Sequence, residues 1–355
     1  MGSTRAGCVA VTGLEAMDNP SPGIPVARSL RDAAAAGRIV GLTYNALNTG
    51  AFAEDLFDAV WIVPAPSEPV EALFGRLREI VAVTPIDVLV PTLDTEIAVY
   101  ARLRRRLEAL GIRILVPPEE RVKKRGKIAL PLLCREAGID CPETFVVTGP
   151  KELDHYLDKG PFPWVLKGSV ADAHVAHSGE EAHADFARLV ETWGLPVLLQ
   201  RFIEGDECDV AGLASPDSAL VGAVAMRKIA ITPKGKAASG VTIHDEELIG
   251  LVERLVRHLD WVGPLEVEFI KERRTGRHYV FEINARFPAW IYLATGAGQN
   301  LPAAAVRLAM GAPAPAYEPY RPGVLFARNM REHLCSIAHF AQLAAIGETH
   351  FHANA

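Results

Sequence analysis

Several features that would assign a function at once are absent from this sequence. The five cysteines of the 355-residue chain form no Cys-x-x-Cys pair and lie far apart. Neither a disulfide framework nor a thiolate metal site is therefore expected, and a reducing, cytoplasmic setting is the default. No apolar run approaches the length of a membrane span, and the N-terminal residues lack the apolar segment of a secretory signal. We expect a soluble protein without a membrane partner.

Charge argues against one class of partner. Lys and Arg total 37 against 43 Asp and Glu, the net charge is -6, and no basic block stands out. This balance argues against nucleic acid as the main partner, although small anionic ligands need only a local cluster of charge. With 49% hydrophobic and 23% charged residues, the composition is that of a soluble globular protein of two or three folding units.

The first third of the chain alternates between strand and helix patterns. This alternation predicts a doubly wound parallel sheet, whose ligands lie beyond the carboxyl ends of the strands. One such loop, "PTLDTE", carries Asp94 and Glu96, which could contact an amine, although Asp94 could equally cap the next helix. No Gly-x-Gly-x-x-Gly follows the first strand, so a dinucleotide site is not indicated. The predicted strands are 8–13, 38–45, 59–66, 87–94 and 113–118, and the predicted helices are 24–37, 70–84 and 96–111.

A row of polar residues interrupts the strand pattern of "YVFEINARFP" (279–288). At the strand period of two, Glu282, Asn284 and Arg286 fall on one face, and apolar residues fall on the other. A solvated face of an antiparallel sheet is the ordinary explanation of such a row. The preceding strand pattern, however, contains a second acidic residue that can lie opposite Glu282.

Residues 264–288 form a predicted hairpin with a Thr-Gly turn, in which Glu268 lies opposite Glu282. Directly opposed carboxylates repel each other, and a divalent cation with oxygen ligands relieves that repulsion. Asn284 adds a third oxygen on the same face, and Arg286 can bind an anionic oxygen in bidentate fashion. The row is therefore suited to phosphoryl transfer assisted by a metal ion.

The order and spacing of "PLEVEFIKERRTGRHYVFEINAR" resemble the metal-binding hairpin of the ATP-grasp superfamily, in its carbamoyl-phosphate-synthase and biotin-carboxylase-like branch. The resemblance covers most of the chain, because the first third is similar to the preATP-grasp domain of that branch, and "GKIALPLLCREAGIDCPET" is similar to the segment that opens the grasp. It implies a Rossmann-like doubly wound domain over 1–115, an α+β ATP-grasp domain over 116–328 with a lid at about 143–199, and a helical tail over 329–355.

The resemblance also implies roles for individual residues. ATP and Mg²⁺, or Mn²⁺ in its place, are the expected cofactors. A role without any ligand is the alternative at several of these positions. A lysine in a strand, for example, is often a solvated residue at the edge of a sheet. The basic group near the transferred phosphate is Arg227, with Lys228, Lys234 and Lys236 as alternatives. The implied ligands are Lys127 and Lys167 for the phosphates, the backbone around Gln200, Phe202 and Ile203 for adenine, Glu207 for ribose, Glu268, Glu282 and Asn284 for the metal ion, and Arg286 for the acyl phosphate.

The function implied is an ADP-forming ligase that joins a carboxylate to an amine or another nucleophile through an acyl phosphate. The expected partners are these small substrates, and the resemblance also makes a homodimer an expectation. One departure favours a second hypothesis: the flap after Lys167, "GSVADAHVAHSGEE", is short and poor in glycine. Either His174 or Ser169 covers the phosphate there, or the protein binds nucleotide with little turnover, as a sensor or a partner subunit.

Overall fold

The computed structural model describes residues 5–17, 20–169, 172–232, 235–329 and 331–351. Its strands in this part of the chain are β1 (Ala6–Val11), β2 (Ala36–Thr43), β3 (Ala59–Ile62), β4 (Val88–Val90), β5 (Thr144–Val147), β6 (Trp164–Gly168), β7 (Ala173–Ala176), β8 (Val197–Arg201), β9 (Gly205–Ala214), β10 (Leu220–Ile231), β11 (Ala237–Thr242), β12 (Gly263–Glu272), β13 (His278–Asn284), β14 (Leu325–Ala327) and β15 (Glu348–His350).

The α-helices of the same residues are α1 (Gly23–Asp32), α2 (Val70–Val83), α3 (Asp94–Ala109), α4 (Glu119–Lys124), α5 (Leu130–Ala137), α6 (Pro150–Leu157), α7 (Gly179–Trp193), α8 (Glu246–His258), α9 (Tyr292–Gly296), α10 (Leu301–Ala309) and α11 (Ile337–Ile346). Among them, none is both long enough and apolar enough to cross a membrane.

The chain divides into two compact units. The first unit comprises the described residues of 1–122, 210–266 and 284–355, and the second those of 123–209 and 267–283. Each unit therefore contains segments that are distant in sequence. The predicted domain boundaries at residues 115 and 328 divide the chain into consecutive segments, unlike these units. The boundaries stay a prediction.

The first unit contains the parallel sheet predicted from the N-terminal alternation. Its strand order is β15-β3-β2-β1-β4, and β1, β2, β3 and β4 pair in parallel. The predicted strand at 113–118 is reduced to a single parallel bridge between Val88 and Arg113. The pattern of mixed parallel and antiparallel sheets confirms the predicted fold class, α/β followed by α+β.

Gly37, the last residue of the helix predicted over 24–37, lies in strand β2 instead. Helix α1 ends at Asp32, and the chain then turns through Ala33 and Ala34, whose φ is +46°. Gly37 is the second residue of β2, where a Cβ atom would lie 2.9 Å from the carbonyl oxygen of Gly7. The glycine is therefore required by the close approach of β1 and β2, and the predicted helix was too long.

The second unit is built on a four-stranded antiparallel sheet of order β5-β8-β6-β7. One face of this sheet packs against α6 and α7, and its core contains the fully buried Trp164 and Leu166. Alternate residues of the same strands point to the other face. The position of Lys167, next to Leu166, therefore places its side chain on the face opposite to that core.

A six-stranded sheet has the order β13-β12-β9-β10-β11-β14. It contains the predicted hairpin, β12 and β13, as one edge. The C-terminal segment contributes more than the predicted helical tail: after α11, strand β15 pairs antiparallel with β3, with Thr349 opposite Val60. A strand of three residues is too short to show a period in sequence, so its pairing partner alone determines it.

Candidate active site

Lys167 shares its sheet face with Gln200. Gln200 lies opposite Val165 in the ladder, and Val165 and Lys167 are alternate residues of β6. Residues directly opposite each other point to one side of a sheet, so the three side chains share a face. The Lys167 residue is only 9% exposed, and its Nζ lies 4.9 Å from the centroid of the Phe281 ring. This face therefore carries a buried amine beside the hairpin strand β13.

Charged residues of the second unit surround this amine. Burial lowers the pKa of Lys167 from 10.5 to about 8. The carboxylates of Glu282 and Glu268 and the ionised form of Cys141 raise the pKa, whereas the positive charge of Lys127 lowers it further. Two predicted phosphate ligands and two predicted metal ligands are thus close enough to act on one another electrostatically. An anionic ligand with a divalent cation would complement this mixture of charges.

The turn of the hairpin is closed by backbone hydrogen bonds. The Glu272 N–H donates to the Arg277 carbonyl at 2.8 Å, and the Gly276 N–H donates to the Glu272 carbonyl at 2.8 Å. Gly276 has a φ of +74°, which only glycine adopts without strain. The Arg277 guanidinium pairs with the Asp140 carboxylate at 2.6 Å, which fixes the hairpin against the segment after α5.

The predicted adenine segment follows strand β8. The Gln200 side chain is buried, and its Nε2 donates to Thr144 Oγ1 at 2.9 Å, so the amide is oriented by β5. Phe202 and Ile203 lie in the short connection between β8 and β9, where the backbone leaves the ladder. Phe202 is 37% exposed, and Glu207 follows as a half-buried residue of β9. Such a connection can present backbone groups to a planar ring.

Arg286 and Asn284 lie in a buried polar cluster of the first unit. Arg286, 7% exposed, pairs through Nε with Asp94 Oδ2 at 2.9 Å and through Nη1 with Glu266. Glu266 also accepts hydrogen bonds from Asn284 Nδ2 at 3.1 Å and from Trp290 Nε1 at 2.9 Å. Two carboxylates therefore fix the guanidinium that the sequence assigned to an acyl phosphate. Glu266 was not predicted as a site residue, although it alternates with Glu268 on β12.

Glu96 is unsuited to the amine contact considered for it. Helix α3 begins at Asp94, and the fully buried Glu96 carboxylate accepts hydrogen bonds from the backbone N–H groups of Thr92 at 2.6 Å and Leu93 at 2.8 Å. The hydroxyls of Thr12 and Tyr44 also donate to it. Burial raises the pKa of Glu96. It joins the segments that follow β1, β2 and β4, which is a structural role, and Asp94 is occupied by Arg286.

Comparisons with known proteins show similarity over parts of the chain. The family described as "ATP-grasp in the biosynthetic pathway with Ter operon" matches residues 195–331, which contain the hairpin. A phosphoribosylamine–glycine ligase of Helicobacter pylori is 28% identical over 116 residues, which are 32% of this chain and 27% of that ligase. The matched region therefore spans about a quarter of that relative.

Solved structures share the fold over a larger part of the chain. The biotin carboxylase domain of 2-oxoglutarate carboxylase from Hydrogenobacter thermophilus, in complex with MgADP and bicarbonate, has a TM-score of 0.65 at 16% identity, over 86% of this chain and 70% of that one. An L-amino acid ligase from Bacillus licheniformis has a TM-score of 0.64 at 17% identity, over 86% and 74%. The chain has the ATP-grasp fold. Its N-terminal sheet corresponds to a preATP-grasp-like domain, as the superfamily resemblance implied.

Two further predicted ATP-grasp residues can be placed. Arg227 is exposed in β10, opposite Val241 of β11, with Lys236 in the following loop; Lys234 lies outside the described residues. His174 lies opposite Leu166, so it points to the face away from Lys167. Of the two side chains considered as covers for the phosphate, His174 is therefore on the wrong face, and Ser169 remains.

The buried charge of Lys167 has a measurable cost in stability. Because its pKa is lowered, the folded chain releases this proton at a lower pH than the unfolded chain, and the free energy of unfolding rises as pH increases from about 8 to 10.5. Below about pH 8 both states are protonated and the full cost is present. We expect Lys167→Met to increase the free energy of unfolding by ~2–3 kcal/mol at pH 7 and to remove this slope.

Urea denaturation at pH 7 and at pH 10 measures the effect of Lys167→Met. Lys159→Met is the matched control, because Lys159 is exposed and its ammonium lies over the Phe145 ring, 4.9 Å from the ring centroid. The control should change stability by less than ~1 kcal/mol at either pH. A Lys167→Met variant that is no more stable than the natural protein at pH 7 would refute the cost assigned to the buried amine.

Proposed function

We propose that this chain is an ATP- and Mg²⁺-dependent, ADP-forming ligase that activates a carboxylate as an acyl phosphate and transfers it to an amine or another nucleophile. The observation that carries the proposal is the charge arrangement around Lys167, where Glu268, Glu282 and Lys127 act on one buried amine. Lysines can neutralise the charge of phosphates, and a pair of carboxylates can supply oxygen ligands to a divalent metal ion. Mn²⁺ would serve the same oxygen ligands.

The metal site proposed on the hairpin requires Glu268 and Glu282 on one face. A regular ladder extended from the closing pair Glu272–Arg277 would place Phe281 opposite Glu268, which is one residue out of register. Two contacts support an extra residue in β13. The Val280 N–H donates to the Asp140 carbonyl at 2.9 Å, and the Ile283 carbonyl accepts from Arg125 at 2.8 Å.

Backbone groups that leave the same edge of a regular strand belong to every second residue, whereas Val280 and Ile283 are three apart. We infer a β-bulge between these two residues, which would restore the register in which Glu268 meets Glu282. In the proposed site Asn284, two residues after Glu282 in the same strand, supplies a third oxygen. When bound there, the ion would supply positive charge that neutralises the charge of the transferred phosphoryl group.

The nucleotide itself is assigned to the second unit. Lys127 and Lys167 neutralise its phosphates, the backbone around Gln200, Phe202 and Ile203 contacts the adenine edge, and Glu207 accepts from the ribose hydroxyls. The relative in complex with MgADP supports this choice of ligand, because its fold is shared. Arg227 is proposed near the transferred phosphate. The small carboxylate and amine substrates, a homodimer and a cytoplasmic location also belong to the proposal.

Arg286 is proposed to stabilise the acyl phosphate, and its neighbours bear on how it does so. Asp94 contacts its Nε, and Glu266 contacts its Nη1. This restraint orients the guanidinium in advance. It also favours a second candidate function, nucleotide binding with little turnover, because two carboxylates reduce the charge available to an anionic substrate, and the flap after Lys167 is short.

An activity assay separates the two functions. The purified chain is incubated with Mg²⁺ and ATP, and with pools of carboxylates and amines, while ADP and inorganic phosphate are measured together. A ligase should release both in equal amounts, and only when both pools are present. Calorimetric binding of ATP without release from any pool would contradict the ligase and support the nucleotide-binding alternative.

A further inference from the structure

A cavity of about 440 Å³ lies within the first unit. Its volume is within the range of about 300–1,000 Å³ that is typical of sites for small molecules. None of its lining residues is among those assigned above to the nucleotide, the metal ion or a substrate. The lining consists of three charged residues, Arg104, Glu108 and Arg113, and of apolar residues that include Leu115, Val262 and Leu308.

The wall of the cavity that follows the parallel sheet is held in place by backbone contacts. The Arg113 N–H donates to the Asp87 carbonyl at 2.8 Å, at the start of this wall. Gly263 has a φ of +88° and packs so closely that a Cβ atom would lie 2.5 Å from the Leu115 carbonyl oxygen. Because these contacts fix the backbone of the wall, a ligand would meet a preformed cavity.

Two arginines give the lining an excess of positive charge. Arg104 is half-buried, and its Nη2 donates to the carbonyl of Val116, which also lines the cavity. Arg113 is exposed, and its Nη1 donates to Met310 Sδ at 3.8 Å. Across the described ranges of the chain, neither arginine forms an ion pair with a carboxylate. Glu108 is the one acidic residue of the lining, which therefore carries one more positive than negative charge.

The half-buried guanidinium of Arg104 is incompletely compensated by its neighbours. Burial lowers the pKa of Arg104, although the carboxylate of Glu108 raises it. An arginine stays charged in a protein, so the cost of removing this charge from water is not avoided by loss of a proton. Its hydrogen-bond acceptor at Val116 is a neutral carbonyl. A carboxylate ligand would add an ionised acceptor, and such charge-assisted hydrogen bonds are the stronger ones.

The apolar part of the lining sets the second requirement on a ligand. Leu115 and Leu308 are buried at 9% and 8% exposure, and Val262 is half-buried. A ligand that is polar throughout would lose its hydration against these side chains without gaining hydrogen bonds. An aliphatic chain next to the anionic group would instead be buried favourably.

We propose that this cavity binds a small aliphatic carboxylate, with its anionic group on Arg104 and Arg113 and its chain against the apolar lining. A guanidinium can bind both oxygens of a carboxylate. A carboxylate carries a single negative charge at pH 7, which matches the excess charge of the lining, whereas a phosphate group carries about −1.5 to −2 and would be repelled more strongly by Glu108. The proposal does not rest on the proposed function, because it involves neither the nucleotide nor the residues assigned to it.

Calorimetric titration of the full chain with hexanoate, in the absence of nucleotide, tests the site. Hexanoate should bind saturably to one site. Butanoate should bind at least ~5-fold more weakly, because two fewer methylene groups are buried. Hexanol, which has the chain without the charge, should bind at least ~10-fold more weakly, and hexyl phosphate should also bind more weakly than hexanoate.

Each of these compounds can contradict the proposal. A chain that does not bind hexanoate would overturn it outright. Hexanol or butanoate binding as tightly as hexanoate would contradict the part assigned to the arginines or to the apolar lining, respectively. Hexyl phosphate binding more tightly than hexanoate would overturn the assignment to a carboxylate.

Two variants locate the bound hexanoate. Arg113→Met removes an exposed charge and should weaken hexanoate binding at least ~10-fold, whereas Arg105→Met, at an exposed position of α3 outside the lining, should leave it unchanged. Ala309→Phe should weaken binding to a similar extent by filling the cavity, with both arginines intact. The midpoint of urea denaturation verifies that each variant is folded. Equal hexanoate affinity in the natural chain, Arg113→Met and Ala309→Phe would show that the ligand binds elsewhere and would overturn the proposal.

Discussion

Glu282→Gln lowers the rate of ADP release by about 10²–10³-fold, because the amide keeps the size of the side chain but removes the charge that would hold the metal ion. Glu268→Gln should behave in the same way, and the double variant should lose little more, since residues that act as one site are not additive. Both side chains are half-buried, so replacing either carboxylate by an amide should leave the fold intact. Excess Mn²⁺ should restore part of the rate.

The hairpin also provides the control for this loss. Glu272 ends β12, and its carboxylate accepts a hydrogen bond from Thr275 within the turn. Glu272→Gln therefore also removes one negative charge from the hairpin, but at a position away from Lys167. This variant should keep at least about half of the rate of ADP release. If Glu272→Gln and Glu282→Gln lose activity equally, the loss comes from the stability of the hairpin and not from a metal ligand.

The second large effect concerns the stability of the first unit. Glu266→Ala lowers the free energy of unfolding by about 3–5 kcal/mol, because it leaves a buried guanidinium with one partner fewer. Glu266 is 5% exposed and accepts from Arg286, Asn284 and Trp290. Its removal therefore also leaves two buried N–H donors without their acceptor. The midpoint of urea denaturation measures the change, provided that its slope is unaltered.

An exposed ion pair of the same unit is the matched control for Glu266. Glu253 pairs with Arg257 one turn along α8, where both side chains are largely exposed. Glu253→Ala should cost less than ~1 kcal/mol, because solvent screens such pairs. Glu266→Gln, which keeps an acceptor oxygen, should fall between the two alanine variants. A Glu266→Ala variant as stable as Glu253→Ala would contradict the buried cluster.

Periodicity made the main parts of the fold predictable. Strands buried on both faces are continuous apolar runs, so β1 to β4 and the parallel sheet could be inferred from the first third of the chain. The hairpin could be inferred from alternation and from Gly276, which its turn requires. These signals are local. They extend over a few residues and do not depend on the rest of the chain.

Long-range partners were not predictable in the same way. Arg286 was assigned to a substrate because the polar row that runs along β13 and past its end is visible in sequence, whereas its partner Asp94 lies 192 positions away. The β15 strand depends on β3, and the role of Gly37 depends on Gly7.

The central claim is that Glu268 and Glu282 together hold a divalent cation with the nucleotide, and Mn²⁺ binding followed by electron paramagnetic resonance tests it most directly. With a non-hydrolysable ATP analogue present, the natural chain and Glu272→Gln should remove Mn²⁺ from solution with equal affinity. Glu268→Gln and Glu282→Gln should each weaken this binding at least ~10-fold. Equal Mn²⁺ affinity in all four proteins would contradict the claim.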